Sequence, residues 1–213
     1  PIKDNKLSPR IKETAKSLWG VYLILTIICM IFYKLAGMNF FDAIGHSFST
    51  VSIGGFSTHN ESIGYYSSDY IKIICMVFMF LSALNFVLHF LFYKTKSFDN
   101  YFSNSEAKTF IFIIMGLLIL VFLFSIGGRL SSINNIDLIF HVLSFVTTSG
   151  FTVSDYNIWP TFIITLIFLS SFIGACAGSA GGGMKVIRIT IALKSIKKQL
   201  LKVIHPKAQI SIK

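Results

Sequence analysis

Long stretches of this chain carry no charge, and that limits what it can fold into. No Asp, Glu, Lys or Arg occurs in 73–93, 109–128 or 156–184, and 35–41 extends the shorter run 17–33 past the single Lys34. A helix needs roughly 20 mainly apolar residues to cross a bilayer, and four segments meet or approach that length. Composition agrees: 54% of the 213 residues are hydrophobic and 13% are charged, against about 25% charged in soluble domains. A formal net charge of +10 suits phosphate partners in general, but its placement here argues otherwise. Lys3, Lys6, Arg10, Lys12 and Lys16 precede the first span, and Lys94, Lys96 and Lys108 separate the second from the third. Lys194, Lys197, Lys198, Lys202, Lys207 and Lys213 follow the fourth. The remaining loops hold Asp42, Glu61, Asp69, Asp137 and Asp155. Cytoplasmic loops gather Lys and Arg, so the expectation is a multi-pass membrane protein with both termini inside and no nucleic-acid partner.

Cys29, Cys75 and Cys176 lie far apart within apolar spans and read as packing residues, neither a disulfide framework nor a zinc site. The start at Pro1, polar and basic for sixteen residues, shows no signal-peptide pattern and suggests a piece of a longer protein.

Shifting the chain against itself by 95 residues aligns 41–58 with 136–153. Seven of the eighteen positions match: Asp42/Asp137, Ile44/Ile139, His46/His141, Ser49/Ser144, Val51/Val146, Gly55/Gly150 and Phe56/Phe151. Each unit reads as span, short apolar segment, Gly-containing loop, span. An even number of spans per unit points both copies the same way through the membrane, unlike inverted transporter repeats. The expected fold class is therefore an all-α membrane protein of two parallel span–pore helix–filter loop–span repeats. An ordinary four-helix bundle with external Gly turns is the simpler competitor, but turns do not call for an apolar re-entrant segment before them.

The expected organisation is a cytoplasmic segment 1–17 and a first repeat 18–93, with pore helix 41–51, filter 52–55 and second span 71–93. A cytoplasmic linker 94–108 follows. The second repeat is 109–188, with pore helix 136–146, filter 147–150 and second span 159–188 broken at 174–183; a basic cytoplasmic stretch 189–213 ends the chain. Asp42 and Asp137 sit where a carboxylate caps free amides and complements the dipole. Eleven-residue segments are too short to cross a bilayer, and non-helical backbone at membrane depth persists only where protein or a water-filled cavity satisfies it.

Potassium filters replace the ion's water shell with backbone carbonyls from several loops around one axis, and glycine lets such a loop turn its carbonyls inward. Ser52, Ile53, Gly54 and Gly55 in one unit, and Thr147, Thr148, Ser149 and Gly150 in the other, fit that demand. Phe56 and Phe151 are then expected to wedge the loops against surrounding helices.

Three stretches, STVSIGGFSTHNESIGYY (49–66), TTSGFTVSDYNIWP (147–160) and SSFIGACAGSAGGGMKVIRI (170–189), resemble the Trk-type potassium uptake membrane subunits, which are related to the Ktr type. The resemblance covers nearly the whole chain, and the third stretch is the most specific. It implies a single-chain, potassium-channel-like architecture of four such repeats, of which these look like the second and third. A basic residue that the family carries beneath the filter in its fourth repeat has no counterpart here. The resemblance also implies potassium as the substrate with no cofactor, a bacterial inner membrane location, a cytosolic nucleotide-binding regulatory subunit and a homodimer of the full subunit.

Gly174, Gly178, Gly181, Gly182 and Gly183 crowd the fourth span. Gly-xxx-Gly helix packing is one explanation. Three consecutive glycines, at roughly 1 kcal/mol each relative to Ala in a helix, favour local unwinding instead. In the resembling family this stretch is an intramembrane loop that obstructs ion passage, which makes Gly178, Gly181, Gly182, Gly183 and Lys185 the candidate gate. Lys185 has two open readings: a charge in the pore, or a side chain reaching the cytoplasmic interface; for Arg188 the interface is favoured. Asn85, in the matching place of the first repeat, is expected to hydrogen-bond a neighbouring helix or pore water. His89 reads as structural, and His46 and His141 as braces of the pore helices rather than a metal pair. Trp19, Tyr22, Tyr65, Tyr66, Tyr70 and Trp159 suit an interfacial aromatic belt, and 189–204 suits the inner membrane surface or a docking partner.

The function expected is potassium uptake through a carbonyl-lined filter; a non-conducting fragment or scaffold that binds a regulatory partner is the alternative. An enzyme fits poorly, since no nucleophile–base set or nucleotide loop is visible, and the glycine run lacks the Lys-Ser/Thr ending of a phosphate loop.

Overall fold

The computed structural model describes residues 7–125 and 134–204. Lys3, Lys6, Lys207 and Lys213, which entered the charge argument, lie outside them. Helices α1 (Leu7–Leu35), α2 (Phe40–Val51), α3 (Asp69–Ala83), α4 (Phe86–Thr95), α5 (Asp99–Ser103), α6 (Ser105–Phe124), α7 (Asn135–Val146), α8 (Thr161–Ile173) and α9 (Val186–Ile204) follow one another, with no strand among the described residues.

Among the described residues, two stretches are long and apolar enough to cross a membrane as single helices, Ala15–Leu35 within α1 and Ser105–Phe124. Both leave apolar side chains bare, among them Ile24, Ile31, Phe112 and Leu123, as expected where lipid is the solvent. The expected second span 71–93 is instead two helices, α3 and α4, bent by 94°. The fourth is helical only as α8, after which residues 174–185 are irregular up to α9.

Each short helix is held by its own unit: α2 packs on α1 and α3, α7 on α6 and α8, and α3 also packs on α7, which joins the units. Within the first, Tyr33 Oη of α1 lies 2.8 Å from Thr50 Oγ1 of α2, and Cys75 Sγ of α3 lies 4.0 Å from the same hydroxyl. All three cysteines are free and buried.

Asparagine, rather than the aspartates expected to do so, caps these helices. Asn39 Oδ1 accepts from Asp42 N at 2.7 Å and Asn134 Oδ1 from Ile136 N at 3.1 Å; Asn85 and Asn104 do the same for α4 and α6. An Asn preceding a helix satisfies one of its orphan amides. Asp42 and Asp137 sit three residues inside the caps, where their carboxylates take other partners. Asp42 accepts from Asn39 Nδ2, Thr58 Oγ1, Tyr66 Oη and the His59 ring at 2.6–3.0 Å. Asp137 instead receives Lys72 Nζ of α3 at 2.7 Å, an ion pair across the seam between units. The aromatic residues divide accordingly: Tyr66 serves Asp42, and Trp159 is buried with its ring centroid 5.0 Å from that of His141.

Candidate functional site: two matched loops above a glycine-rich break

The loops leaving α2 and α7 share their first three backbone hydrogen bonds. Ser52 N donates to Phe48 O, Ile53 N to Thr50 O and Gly54 N to Ser49 O; Thr147, Thr148 and Ser149 donate to Leu143, Phe145 and Ser144 in the same order, all at 2.7–3.1 Å. The left-handed positions also correspond, Ile53 with Thr148 (φ 56° and 67°) and Gly55 with Gly150 (φ 71° and 84°). A β-branched residue at positive φ is strained, and it occurs at the same place in both copies. The amides of 52–54 and of 147–149 are thus spent on the helix behind. Among the described residues, no hydrogen bond reaches the carbonyls of 52–55 or 147–150.

The two loops lie side by side. A Cβ on Gly55 would strike the Ser149 carbonyl oxygen, and Gly64 N donates to Thr152 O at 3.1 Å. Gly150 has no atom within 4 Å of the position a Cβ would take. The phenylalanines differ in the same sense. Phe151 is 0% exposed, its ring centroid 6.4 Å from that of His46 in the other unit, whereas Phe56 is 82% exposed. The expected wedge is therefore made by Phe151 and not by Phe56. Ser144 Oγ donates to Phe151 O at 2.7 Å, while its counterpart Ser49 Oγ is buried without a partner.

His46 and His141 play one structural part. Each ring Nδ1 lies 2.8–2.9 Å from the carbonyl four residues earlier, Asp42 O or Asp137 O, so Nδ1 carries the proton. His46 Nε2 then accepts from Ser57 Oγ at 2.9 Å. No His, Cys, Asp or Glu group able to hold a metal occurs among the described residues. His89 splints the 94° bend, donating from Nε2 to Leu81 O at 2.9 Å and accepting at Nδ1 from Tyr101 Oη at 2.7 Å.

Residues 174–185 fold into a loop whose base is pinched where Gly174 and Gly183 cross. Both have positive φ, and a Cβ on either would run into the backbone of the opposite limb. The loop sits against the segment that leaves α7: Gly182 N donates to Thr148 Oγ1 at 2.7 Å, and a Cβ on Gly181 would lie 2.9 Å from Thr147 O. Lys185 turns back into the loop, donating from Nζ to Gly181 O, while Arg188 on α9 is exposed.

The same loop accounts for the break between α3 and α4. Cys176 N donates to Ala83 O, Ala180 N to Ser82 O, and Phe86 N to Gly178 O, all at 3.0–3.1 Å. Two interrupted helices thus exchange the hydrogen bonds that each has lost, which is how irregular backbone survives inside a membrane protein. Asn85 caps α4 and its side chain lies against Gly178.

Sequence reasoning passed over Glu106. This residue of the first turn of α6 is 7% exposed, and its Oε1 accepts from Ala177 N at 2.6 Å and from Ile187 N at 3.3 Å. Its counterpart 95 residues earlier is Ile11, so the repeat did not mark it. The available signal was chemical, since a glycine-rich loop at membrane depth exposes amides that need an acceptor.

A helical membrane-type architecture with two matched short helix–loop segments defines the class. The cation transport protein family TrkH matches residues 1–213, and the chain belongs to it. It is 46% identical to the Trk system potassium uptake protein TrkH of Halomonas elongata and 44% identical to that of Escherichia coli (strain K12), in each case over 100% of this chain and 45% of the relative. The crystal structure of the potassium transporter TrkH from Vibrio parahaemolyticus superimposes with a TM-score of 0.90 at 45% identity, covering 96% of this chain and 45% of that one. The chain thus spans about half the length of the relatives it matches, and the resemblance read from the three stretches holds.

Proposed function

We propose that this chain supplies two carbonyl-lined filter segments and the gate loop of a potassium uptake pore in a bacterial inner membrane. The observation that carries the reading is the matched use of backbone groups in 52–55 and 147–150. The amides of 52–54 and 147–149 are spent on the helices behind them and the carbonyls of both segments are left over, the arrangement that replaces a potassium ion's hydration shell. Ser52, Ile53, Gly54, Gly55, Thr147, Thr148, Ser149 and Gly150 are the ion-coordinating residues. Gly178, Gly181, Gly182, Gly183 and Lys185 form the gate, pressed against Thr147 and Thr148. An inside-negative potential favours entry by about 2.3 kcal/mol per charge per 100 mV.

Two units do not close a ring. The open side of Gly150 and the bare Phe56 ring match the places where Gly55 and Phe151 meet a neighbouring unit, so two further units complete the pore. Their absence from the chain is the ground for the second reading, in which these 213 residues alone bind partners but conduct nothing. Both termini of the segment face the cytoplasm, where a nucleotide-binding regulatory subunit engages it, and the full subunit is a homodimer; these assignments rest on the family resemblance and the charge pattern.

The test is Gly150→Val in the complete subunit, measured as potassium uptake and potassium-over-sodium preference. Uptake is lost while membrane insertion is unchanged. Uptake and preference equal to those of the unaltered protein would overturn the filter assignment.

A further inference from the structure

Two amides that flank the glycine run, ten residues apart in sequence, end on one carboxylate oxygen. Glu106 Oε1 accepts from Ala177 N, before the glycine run, and from Ile187 N, after it. A carboxylate in the first turn of a helix commonly serves its own helix, but that part is already filled: Asn104 Oδ1 takes the Ala107 amide at 2.9 Å. Glu106 is buried, and a buried carboxylate persists only where several donors compensate its lost hydration. Its donors lie 71 and 81 residues away in the chain, one on the loop and the other in the first turn of α9, just after it. Lys185, tied to Gly181 O on the inner side, also interacts electrostatically with Glu106.

We propose that Glu106 is the positioning residue of the gate: one carboxylate clips both flanks of the loop 174–185 to the start of α6 and holds the loop against Thr147 and Thr148. Opening the loop requires at least one of these two bonds to break, so Glu106 sets how often the loop leaves its place. The inference rests on the gate reading above, but its test reads the loop's position directly.

Cys176 reports that position. It is buried, adjoins Ala177 and is bonded through its amide to Ala83 O, so a thiol reagent reaches it only when the loop moves. The complete subunit in membranes is treated from the cytoplasmic side with a small cationic methanethiosulfonate, and labelling absent from Cys176→Ala is assigned to Cys176. Glu106→Gln keeps an oxygen acceptor without the charge, and Glu106→Ala removes the acceptor. The expected order of labelling rates is native, then Gln, then Ala. The Ala variant should react at least about tenfold faster, equivalent to about 1.4 kcal/mol and at the low end for one hydrogen bond to a charged group. If Glu106→Ala does not fold, the comparison of native with Glu106→Gln decides, supported by faster amide deuterium exchange across 176–187. A role confined to folding would lower the yield of protein without raising the Cys176 rate in what remains. Equal rates in all folded variants would overturn the proposal. Potassium uptake by the native subunit is measured in parallel; its absence would refute the pore reading and leave the labelling result standing.

Discussion

Lys72 makes an ion pair across the seam between the units, and its removal has a cost that the structure allows to be estimated. Lys72 Nζ lies 2.7 Å from Asp137 Oδ1 and 3.5 Å from Asp69 Oδ1, and Lys72 and Asp137 are both largely shielded from solvent. Replacing Lys72 with Met keeps the length of the side chain but leaves Asp137 buried without a counter-charge. Breaking a buried pair in this way costs about 3–5 kcal/mol. The amino end of α7 returns part of it, up to about 1 kcal/mol, because Asp137 lies in the first turn. The net expectation is a loss of about 2–4 kcal/mol. Asp137→Asn leaves Lys72 with the partly exposed Asp69 and costs less. The assay is reversible unfolding of the purified protein in mixed micelles for Lys72→Met, Asp137→Asn and the double variant, combined as a double-mutant cycle. The double variant should be more stable than the sum of the single losses predicts, by more than about 1 kcal/mol. Additive losses would refute the pair as the clasp between α3 and α7, whatever the size of each.

Three further expectations follow from single sites. Phe151→Ala should destabilise by about 3–5 kcal/mol, the range for emptying a buried aromatic site, whereas Phe56→Ala in the same chain should change stability little; equal effects in melting experiments would contradict the asymmetry. Gly55→Ala should unfold the seam more than Gly150→Ala in this chain, because only Gly55 faces a neighbouring carbonyl, and thermal melts of the two variants give the comparison. Burial works against ionisation of Asp42, but hydrogen bonds from Thr58, His59 and Tyr66 outweigh it and hold the carboxyl at about 2, below its usual 3.8. A lowered carboxyl contributes stability that is present above about pH 4 and lost as pH falls through about 2, worth about 2 kcal/mol. Asp42→Asn should remove that portion of the acid titration of stability, and an unchanged titration would count against the cluster.

What the sequence made legible was whatever a copied pattern could carry. The 95-residue offset reappears in the backbone, at Ile53 and Thr148 as much as at the paired glycines, because the same local hydrogen bonds end both α2 and α7. The family was readable for the same reason, since the stretch 170–189 is unusual enough to be recognised. Features held by distant partners were not. The bend at Leu84 and Asn85 has no glycine to announce it; it exists because Cys176, Gly178 and Ala180 supply the bonds the helix gives up. Asp42 and Asp137 look equivalent in sequence but are neutralised differently, one by its own loop and the other by Lys72. Glu106 was hidden in a charged linker, and only the folded chain brings it to Ala177 and Ile187. Phe56 and Phe151 diverge because a neighbouring unit covers one of them and not the other, which a repeat alone cannot reveal.

The central claim is that the carbonyls of 52–55 and 147–150 hold the same ion. Its most direct test is anomalous scattering from the complete subunit with rubidium or thallium replacing potassium. The account predicts ion density on the axis between the two loops, within coordination distance of carbonyls from both. Density confined to other sites, or carbonyls of the two loops turned away from any bound ion, would contradict it.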